Sequence, residues 1–336
     1  MLIAVRSPEA KVQGPKSKVQ GPSAAERRSA VHGLWTLDVG FGLAACLLWA
    51  AVSGQAAAQP ARAAFSGAQA LKHATALCHI GPRVPGTPGH QKAEQYILKE
   101  LRALDLKPEV DAFTAATPLG PRPMRNILVR FPGNSDRAVM VGGHYDTKYF
   151  TQFRFVGAND GGSSAALLLE LARVLKESPQ GPLGVWLAFF DGEEAFGEWT
   201  ANDSLYGSRR LAERLHDSGE HRKISALILV DMIGDHHLDL LRDLNSTGWL
   251  NEMVREVAAV QGLSRVFGDF QTAIEDDHMP FANIGVPVVD LIDFNYGPDN
   301  SFWHTAQDTL DKLSARSLQA VGRIVLGTID ALAKRK

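Results

Sequence analysis

The amino-acid sequence predicts a three-layer α/β sandwich: a mixed, mostly parallel β-sheet with helices on both faces. Three observations lead there. Strand-like and helix-like runs alternate from about residue 62 onward. GVWLAFF (184–190), SALILVDM (225–232) and VPVVDLI (286–292) are continuously apolar, as strands covered on both faces are. A chain of 336 residues that is 45% hydrophobic has apolar material for one large core.

The first sixty residues differ from the rest. KVQGPKSKVQGPS (11–23) repeats a five-residue unit, is basic and rich in Pro and Gly, and has the composition of a disordered segment. Arg27 and Arg28 precede the apolar stretch VGFGLAACLLWAAVSG (39–54), and small residues follow at Ala56 and Ala58. A positive flank, a short apolar region and small residues describe a secretory signal with a cleavage site. An uncleaved membrane anchor and lipidation at Cys46 are the alternatives. The expected organisation is a leader over 1–60 and a single catalytic domain over 61–336, secreted or periplasmic.

Within that domain, helices are expected at 89–104, 163–177, 205–216, 247–261 and 314–334. The second of these, SSAALLLELARVLKE, follows a Ser-rich start that reads as an N-cap. RNILVRF (125–131) and RAVMVGG (137–143) flank PGNSD, which reads as a hairpin turn. No internal repeat or long linker divides the region.

Composition narrows the function. A formal net charge of −2 lacks the basic excess of a nucleic-acid binder. The two cysteines, Cys46 and Cys78, build no disulfide framework or zinc finger, so any metal is held by His, Asp and Glu.

Those residues fall in telling places. His144 and Asp146 stand just past one strand, Glu193 and Glu194 past the next, and Asp231 ends a third. His304 follows the last strand by a short loop, and Asp160 lies in a Gly-rich turn before a helix. In open α/β sheets ligands bind outside the carboxyl ends of the strands. Oxygen and imidazole donors without thiolate suit a catalytic zinc with one open position. Adjacent residues leaving a strand point in different directions. Glu194 can therefore bind the metal while Glu193 faces the substrate as an acid/base, its proton affinity set by burial and neighbouring charge.

With His144-x-Asp146, Asp160, Glu193-Glu194, Asp231 and His304 in this order, the chain resembles the zinc aminopeptidase-like superfamily. GHYDTKYF (143–150), DGEEAFGEWTANDSLYGSRRLA (191–212), IEDDHMPF (274–281) and FWHTAQDTLDKLS (302–314) are more specifically similar to glutaminyl-peptide cyclotransferases. The similarity extends over residues 70–335. It implies a zinc held by Asp160, Glu194 and His304, Glu193 as acid/base, and Asp231 with Asp276 as a hydrogen-bond relay. Asp277, adjacent to Asp276, is the alternative relay member, and His278 of the same box is read as fixing a loop. Trp199 and Trp303 would line the substrate pocket, with Ile274 and Glu275 beside them. The implied reaction turns an N-terminal glutaminyl residue of a peptide or protein into pyroglutamate with loss of ammonia. DSLYGSR reads as a structural element, a capped helix start with a Gly for close packing.

Two features depart from the pattern. Glu275 stands where the family often shows a neutral amide, and DFNYGPDNS (293–301) is a longer, more polar loop expected to border the pocket. The rival reading is a two-zinc aminopeptidase, with His144 and Asp231 holding the second metal and Asp160 bridging. A catalytically silent binding module is the third, disfavoured because neither a ligand nor the base is missing.

Overall fold

The computed structural model describes residues 62–335. The leader, with its repeat, signal-like stretch and Cys46, lies outside them. In chain order the elements are α1 (Gly67–Ile80), α2 (Pro88–Ala103), β1 (Glu109–Thr117), β2 (Gly120–Phe131), β3 (Ala138–His144), α3 (Gly162–Glu177), β4 (Gly184–Phe190) and α4 (Tyr206–Asp217). After these come β5 (Ile224–Asp231), β6 (Leu240–Asp243), α5 (Gly248–Val260), β7 (Phe267–Thr272), α6 (Met279–Asn283), β8 (Val288–Ile292) and α7 (Ala315–Lys334).

Six strands form one sheet in the order β1-β2-β4-β3-β5-β8, and β6 pairs with β7 in a small second one. β4, β3, β5 and β8 run parallel, while β1 and β2 add an antiparallel edge. Successive side chains on a strand go to opposite faces, which explains the continuous apolar runs. Leu187 and Phe189 of β4 join Ile228 and Val230 of β5 under α1, α2, α3, α5 and α7. Trp186, Ala188 and Phe190 join Leu227 and Leu229 on the other face, under α4 and α6. The mixed sheet with helices on both faces is therefore the architecture observed.

Two local expectations fail. The segment PGNSD is not a hairpin turn, because β4 lies between β2 and β3 and pairs with both. The 132–137 link instead packs along the start of β4, where Gly184 N donates to Arg137 O at 2.8 Å and Asn134 N to Gly181 O at 3.0 Å. The hairpin in this region is β1–β2, closed by Thr117 opposite Gly120. The Ser-rich start of α3 is not a cap either. Gly161 occupies the N-cap position without a side-chain bond, while Ser163 Oγ donates to Asn159 O and accepts from Ile233 N. Those serines tie the helix start to the turn before it and to the end of β5.

The DSLYGSR segment is structural, as expected, although its helix start also carries no side-chain cap. Its Asp203 instead accepts from Phe196 N, Gly197 N and the Tyr206 hydroxyl, holding the loop after β4. Gly207 packs so closely against that loop that a Cβ would meet Asp191 N at 2.7 Å, together with Asp191 O and Asn126 Oδ1. Backbone atoms cannot give way cheaply, so Gly207→Ala is expected to destabilise the fold by about 1–3 kcal/mol. A thermal melt reads this as a lowered Tm, and an unchanged Tm would contradict the packing described.

Candidate active site

The carboxyl ends of β3, β4 and β5 bring the singled-out residues to one rim, and the loop after β8 adds His304. At its centre is Asp160, buried in the turn between β3 and α3. The turn ends in a left-handed Gly161, where a Cβ would meet Asp146 O at 2.5 Å and His144 Cε1 at 2.9 Å. Only glycine allows the chain to pass this close to two site residues.

Two clusters share Asp160. In one, His304 Nε2 lies 3.1 Å from Glu194 Oε1 and 3.2 Å from Asp160 Oδ2. In the other, His144 Nε2 lies 3.1 Å from Asp231 Oδ1 and 3.2 Å from Asp160 Oδ1. Each trio offers ligand atoms within 4.8 Å of one another, the separation at which one cation can be held. Asp160 Oδ2 is buried and accepts no hydrogen bond despite its approach to His304. Burial works against a proton on His304, yet the carboxylates of Glu194 and Asp160 outweigh it and push its pKa up to about 10. This trio thus calls for positive charge, and its borderline and hard donors, free of sulfur, fit a divalent metal.

Neighbouring groups orient the donors. Asp146 is fully buried; its Oδ1 accepts from Glu193 N at 3.1 Å and lies 3.4 Å from His144 Nδ1, and its Oδ2 accepts from Glu194 N at 3.4 Å. The indole of Trp303 stacks on His304 with centroids 4.1 Å apart, and Phe150 and Phe155 meet the imidazole edge-on near 6 Å. His304 itself sits at φ 54°, a left-handed conformation unusual for a residue with a Cβ.

Glu193 points elsewhere. Its side chain accepts no hydrogen bond among the described residues, and its nearest charged contact is His144 Nδ1 at 4.0 Å. Burial drives its pKa well above the usual carboxylate range, and Glu194, Asp276 and Asp277 reinforce this against the opposing effect of His144. Burial likewise raises Asp276, helped by Asp231 and Asp277. Asp231 receives His144 Nε2, Ser164 Oγ and Met232 N all on Oδ1, which leaves its Oδ2 free.

These groups line a cavity of about 550 Å³ whose apolar wall includes Trp199, Ile274, Phe294 and Trp303. Asp160, Glu193, Glu194, Trp199, Asp231, Ile274, Glu275, Asp276, Trp303 and His304 are all at this cavity, whereas Asp146 and His144 are not, His144 lying against Asp160 and Asp231. Trp199 remains 38% exposed on the cavity wall. Of the acidic pair, Asp276 borders the cavity while Asp277 is buried behind it. Glu275 is exposed at the edge, and the 293–301 loop contributes Phe294.

Sequence reasoning missed several contributors. Lys148 donates to Glu194 Oε2 at 3.3 Å and to Ala195 O at 3.1 Å. Arg83 is fully buried, and its guanidinium donates to Tyr145 O at 2.7 Å, Val156 O at 2.6 Å, Gly157 O at 2.8 Å and Asp160 O at 3.3 Å. Asp308 receives Asn159 N at 2.8 Å and Asp160 N at 3.1 Å, so the backbone of Asp160 is gripped at both N–H and C=O. Aromatic density in KYFTQFRF (148–155) was the available signal for Phe150 and Phe155; Arg83, within GPRVPG, reads as an ordinary loop cation.

A mixed α/β sheet with two carboxylate–imidazole clusters at its strand ends defines the aminopeptidase-like class of metal-dependent enzymes. Residues 126–329 match the sequence profile of peptidase family M28. The chain is 35% identical over 252 residues to the glutaminyl-peptide cyclotransferase of Drosophila melanogaster, covering 68% of this chain and 70% of that one. It is 33% identical over 279 residues to the Bos taurus protein of the same name, covering 72% and 76%. The crystal structure of an Acidobacteriales bacterium glutaminyl cyclase superposes with a TM-score of 0.80 at 44% identity, over 84% of this chain and 99% of that one. The chain belongs to peptidase family M28 and, within it, to the glutaminyl-peptide cyclotransferases.

Two predictions follow from the geometry. Asp160→Asn weakens the donor common to both clusters, so purified protein is expected to lose most of its bound metal by elemental analysis; wild-type metal content would refute the shared-donor reading. Arg83→Leu leaves several buried carbonyls unpaired, each costing about 1–3 kcal/mol. Its Tm is expected to fall steeply, and a melt matching wild type would count against Arg83 as the anchor of the 156–160 turn.

Proposed function

We propose that this chain is a zinc-dependent glutaminyl-peptide cyclotransferase acting on peptides or proteins with N-terminal Gln. The observation that carries the reading is Glu193: buried, its side chain without a hydrogen-bond partner among the described residues, and facing a cavity walled by two tryptophans beside the Asp160–Glu194–His304 trio.

Asp160, Glu194 and His304 would hold the zinc, which when bound would supply Lewis-acid chemistry at the γ-carboxamide carbonyl. The α-amine of the same glutaminyl residue attacks the γ-carboxamide carbon, Cδ; the ring N–C bond forms first, the bond from Cδ to the amide nitrogen then breaks, and ammonia leaves. Because the nucleophile is intramolecular, the protein chiefly has to fold the side chain back and carry a proton. Glu193 takes that proton from the amine and delivers it to the leaving nitrogen. Its raised proton affinity suits an acid that must hold the proton between the two steps. Asp276 and the free Oδ2 of Asp231 would form the relay beside it. Trp199, Ile274 and Trp303 enclose the substrate's methylenes and exclude water, which would otherwise convert cyclisation into deamidation.

The same reading extends to the whole chain, with residues 61–336 as one catalytic domain and the leader as a secretory signal that carries it out of the cytoplasm. No helix among the described residues is long and apolar enough to cross a membrane. The His144–Asp160–Asp231 cluster is the observation that favours two-metal aminopeptidase chemistry instead.

Products separate the two. A peptide beginning with Gln is expected to lose the mass of ammonia while a matched peptide beginning with Leu stays intact. Release of free Leu with two metals bound per chain would establish the aminopeptidase. Glu193→Gln should retain its metal and lose about 10²–10⁴-fold in turnover; turnover near wild type would remove Glu193 from the proton-carrying role.

A further inference from the structure

The wall of the cavity formed by residues 273–276 belongs to no regular element. It links β7 to the short helix α6, and both Ile274 and Asp276 face the cavity. Such a segment has backbone freedom worth about 1–2 kcal/mol per residue unless other groups fix it. The fixing groups come from the turn at the end of β6, away from both metal clusters.

Asp243, the last residue of β6, is buried and meets the segment at two points, by a hydrogen bond at one and a close charged approach at the other. Its Oδ1 accepts from Ile274 N at 2.9 Å, and its Oδ2 lies 3.2 Å from His278 Nε2. Asn245 closes the first grip from the other side by donating Nδ2 to Ile274 O at 2.6 Å. Both backbone groups of Ile274 are therefore held by one turn. Asp243 is itself held, since Asn245 N donates to Oδ1 at 3.0 Å, Ser246 Oγ to Oδ2 at 2.6 Å, and its carbonyl accepts from Asn251 Nδ2 at 2.9 Å. His278 is fully buried and has Asp290 of β8 at 3.9 Å from its other nitrogen, so the imidazole stands between two buried carboxylates. Between the two grips lie Glu275, Asp276 and Asp277. Asp276 O in turn accepts from Met279 N at 2.8 Å, which ties its backbone to the start of α6.

We infer that Asp243 is a positioning residue for cyclisation: through Ile274 and His278 it staples the 274–278 segment at both ends and so sets where Asp276 and the Ile274 wall stand against the substrate. Burial alone would raise the Asp243 pKa, but the nearby His278 imidazole and the hydrogen bonds from Ser246, Ile274 and Asn245 outweigh it and hold the carboxyl below its usual range. The staple is thus in place wherever the carboxylate is ionised. It acts on proton handling and on substrate fit, and leaves the metal-binding residues, which come from other elements, untouched.

The inference rests on the cyclotransferase reading, so its test has one arm on activity and one independent of it. Asp243→Ala removes both grips, Asp243→Asn keeps an acceptor for Ile274 N, and Asn245→Ala removes a single half-buried bond and guards against a variant that does not fold. With metal content at the wild-type level, Asp243→Ala is expected to lower kcat on a Gln peptide by about 10²-fold, the scale of a displacement near 1 Å in a catalytic group. It should also raise KM. Asp243→Asn and Asn245→Ala are expected to fall between it and wild type. In amide hydrogen exchange, residues 273–277 of each variant should exchange faster while β3 and β4 keep their protection. Folded variants with wild-type kcat and KM would overturn the inference, as would unchanged exchange at 273–277. If wild-type protein cyclises no Gln peptide, the functional reading fails, and the exchange arm alone decides whether the staple exists.

Discussion

The site depends on the course of the main chain through Asp160. One carboxylate serves two clusters, one oxygen to each, so a shift of the backbone there would disturb both at once. The chain is fixed at this point by opposite charges acting on its two polar groups. The Arg83 guanidinium takes the carbonyl, along with those of Tyr145, Val156 and Gly157, and the Asp308 carboxylate takes the N–H. Multiple hydrogen bonds to backbone from one planar cation give a fixed geometry that a flexible loop could not keep alone. Asp160's own side chain is left for chemistry.

The surroundings set up an electrostatic contrast between neighbours in sequence. Glu194 faces His304 and Lys148, two basic partners, whereas Glu193 faces three acids and one imidazole. A bend of one residue after β4 separates a carboxylate suited to holding a cation from one suited to holding a proton. Asp146 makes that bend reproducible by taking both backbone N–H groups of the pair. Gly207 then lets α4 press against the same loop from behind, where a side chain would collide with Asp191.

Much of this was legible in the sequence because it rests on strand ends. β4, β5 and β8 announced themselves as apolar runs, and the polar residues at the ends of β3, β4 and β5 marked the rim. The five expected helices appear as α2, α3, α4, α5 and α7 with boundaries within about two residues. What escaped notice has physical reasons. β1 alternates half-buried and exposed residues and pairs on only one side, so EVDAFTAAT lacks a strong apolar pattern. β6 is four residues long, and β7 buries none of its residues fully. The false hairpin arose because a turn-rich link says nothing about which strands pair across it. Arg83 and Asp308 act through backbone groups distant in sequence, and no spacing rule reveals that; Asp243 works in the same hidden way.

Tyr296 connects this frame to the loop at the cavity's edge. Its hydroxyl donates to Asp308 Oδ1 at 2.7 Å, the same carboxylate that takes the N–H groups of Asn159 and Asp160. Its backbone receives Asn300 and Phe302 at the loop's far end, with Tyr296 N donating to Asn300 Oδ1 and Phe302 N to Tyr296 O. The loop is thus moored at Tyr296 and again at Gly297, whose left-handed backbone lies so close to the Phe302 ring that a Cβ would meet it at 2.5 Å. For protein engineering, the exposed tip at Pro298 and Asp299 is where substitutions can reshape the loop with the least disturbance to Asp160, Glu194 and His304, provided that Tyr296 and Gly297 stay.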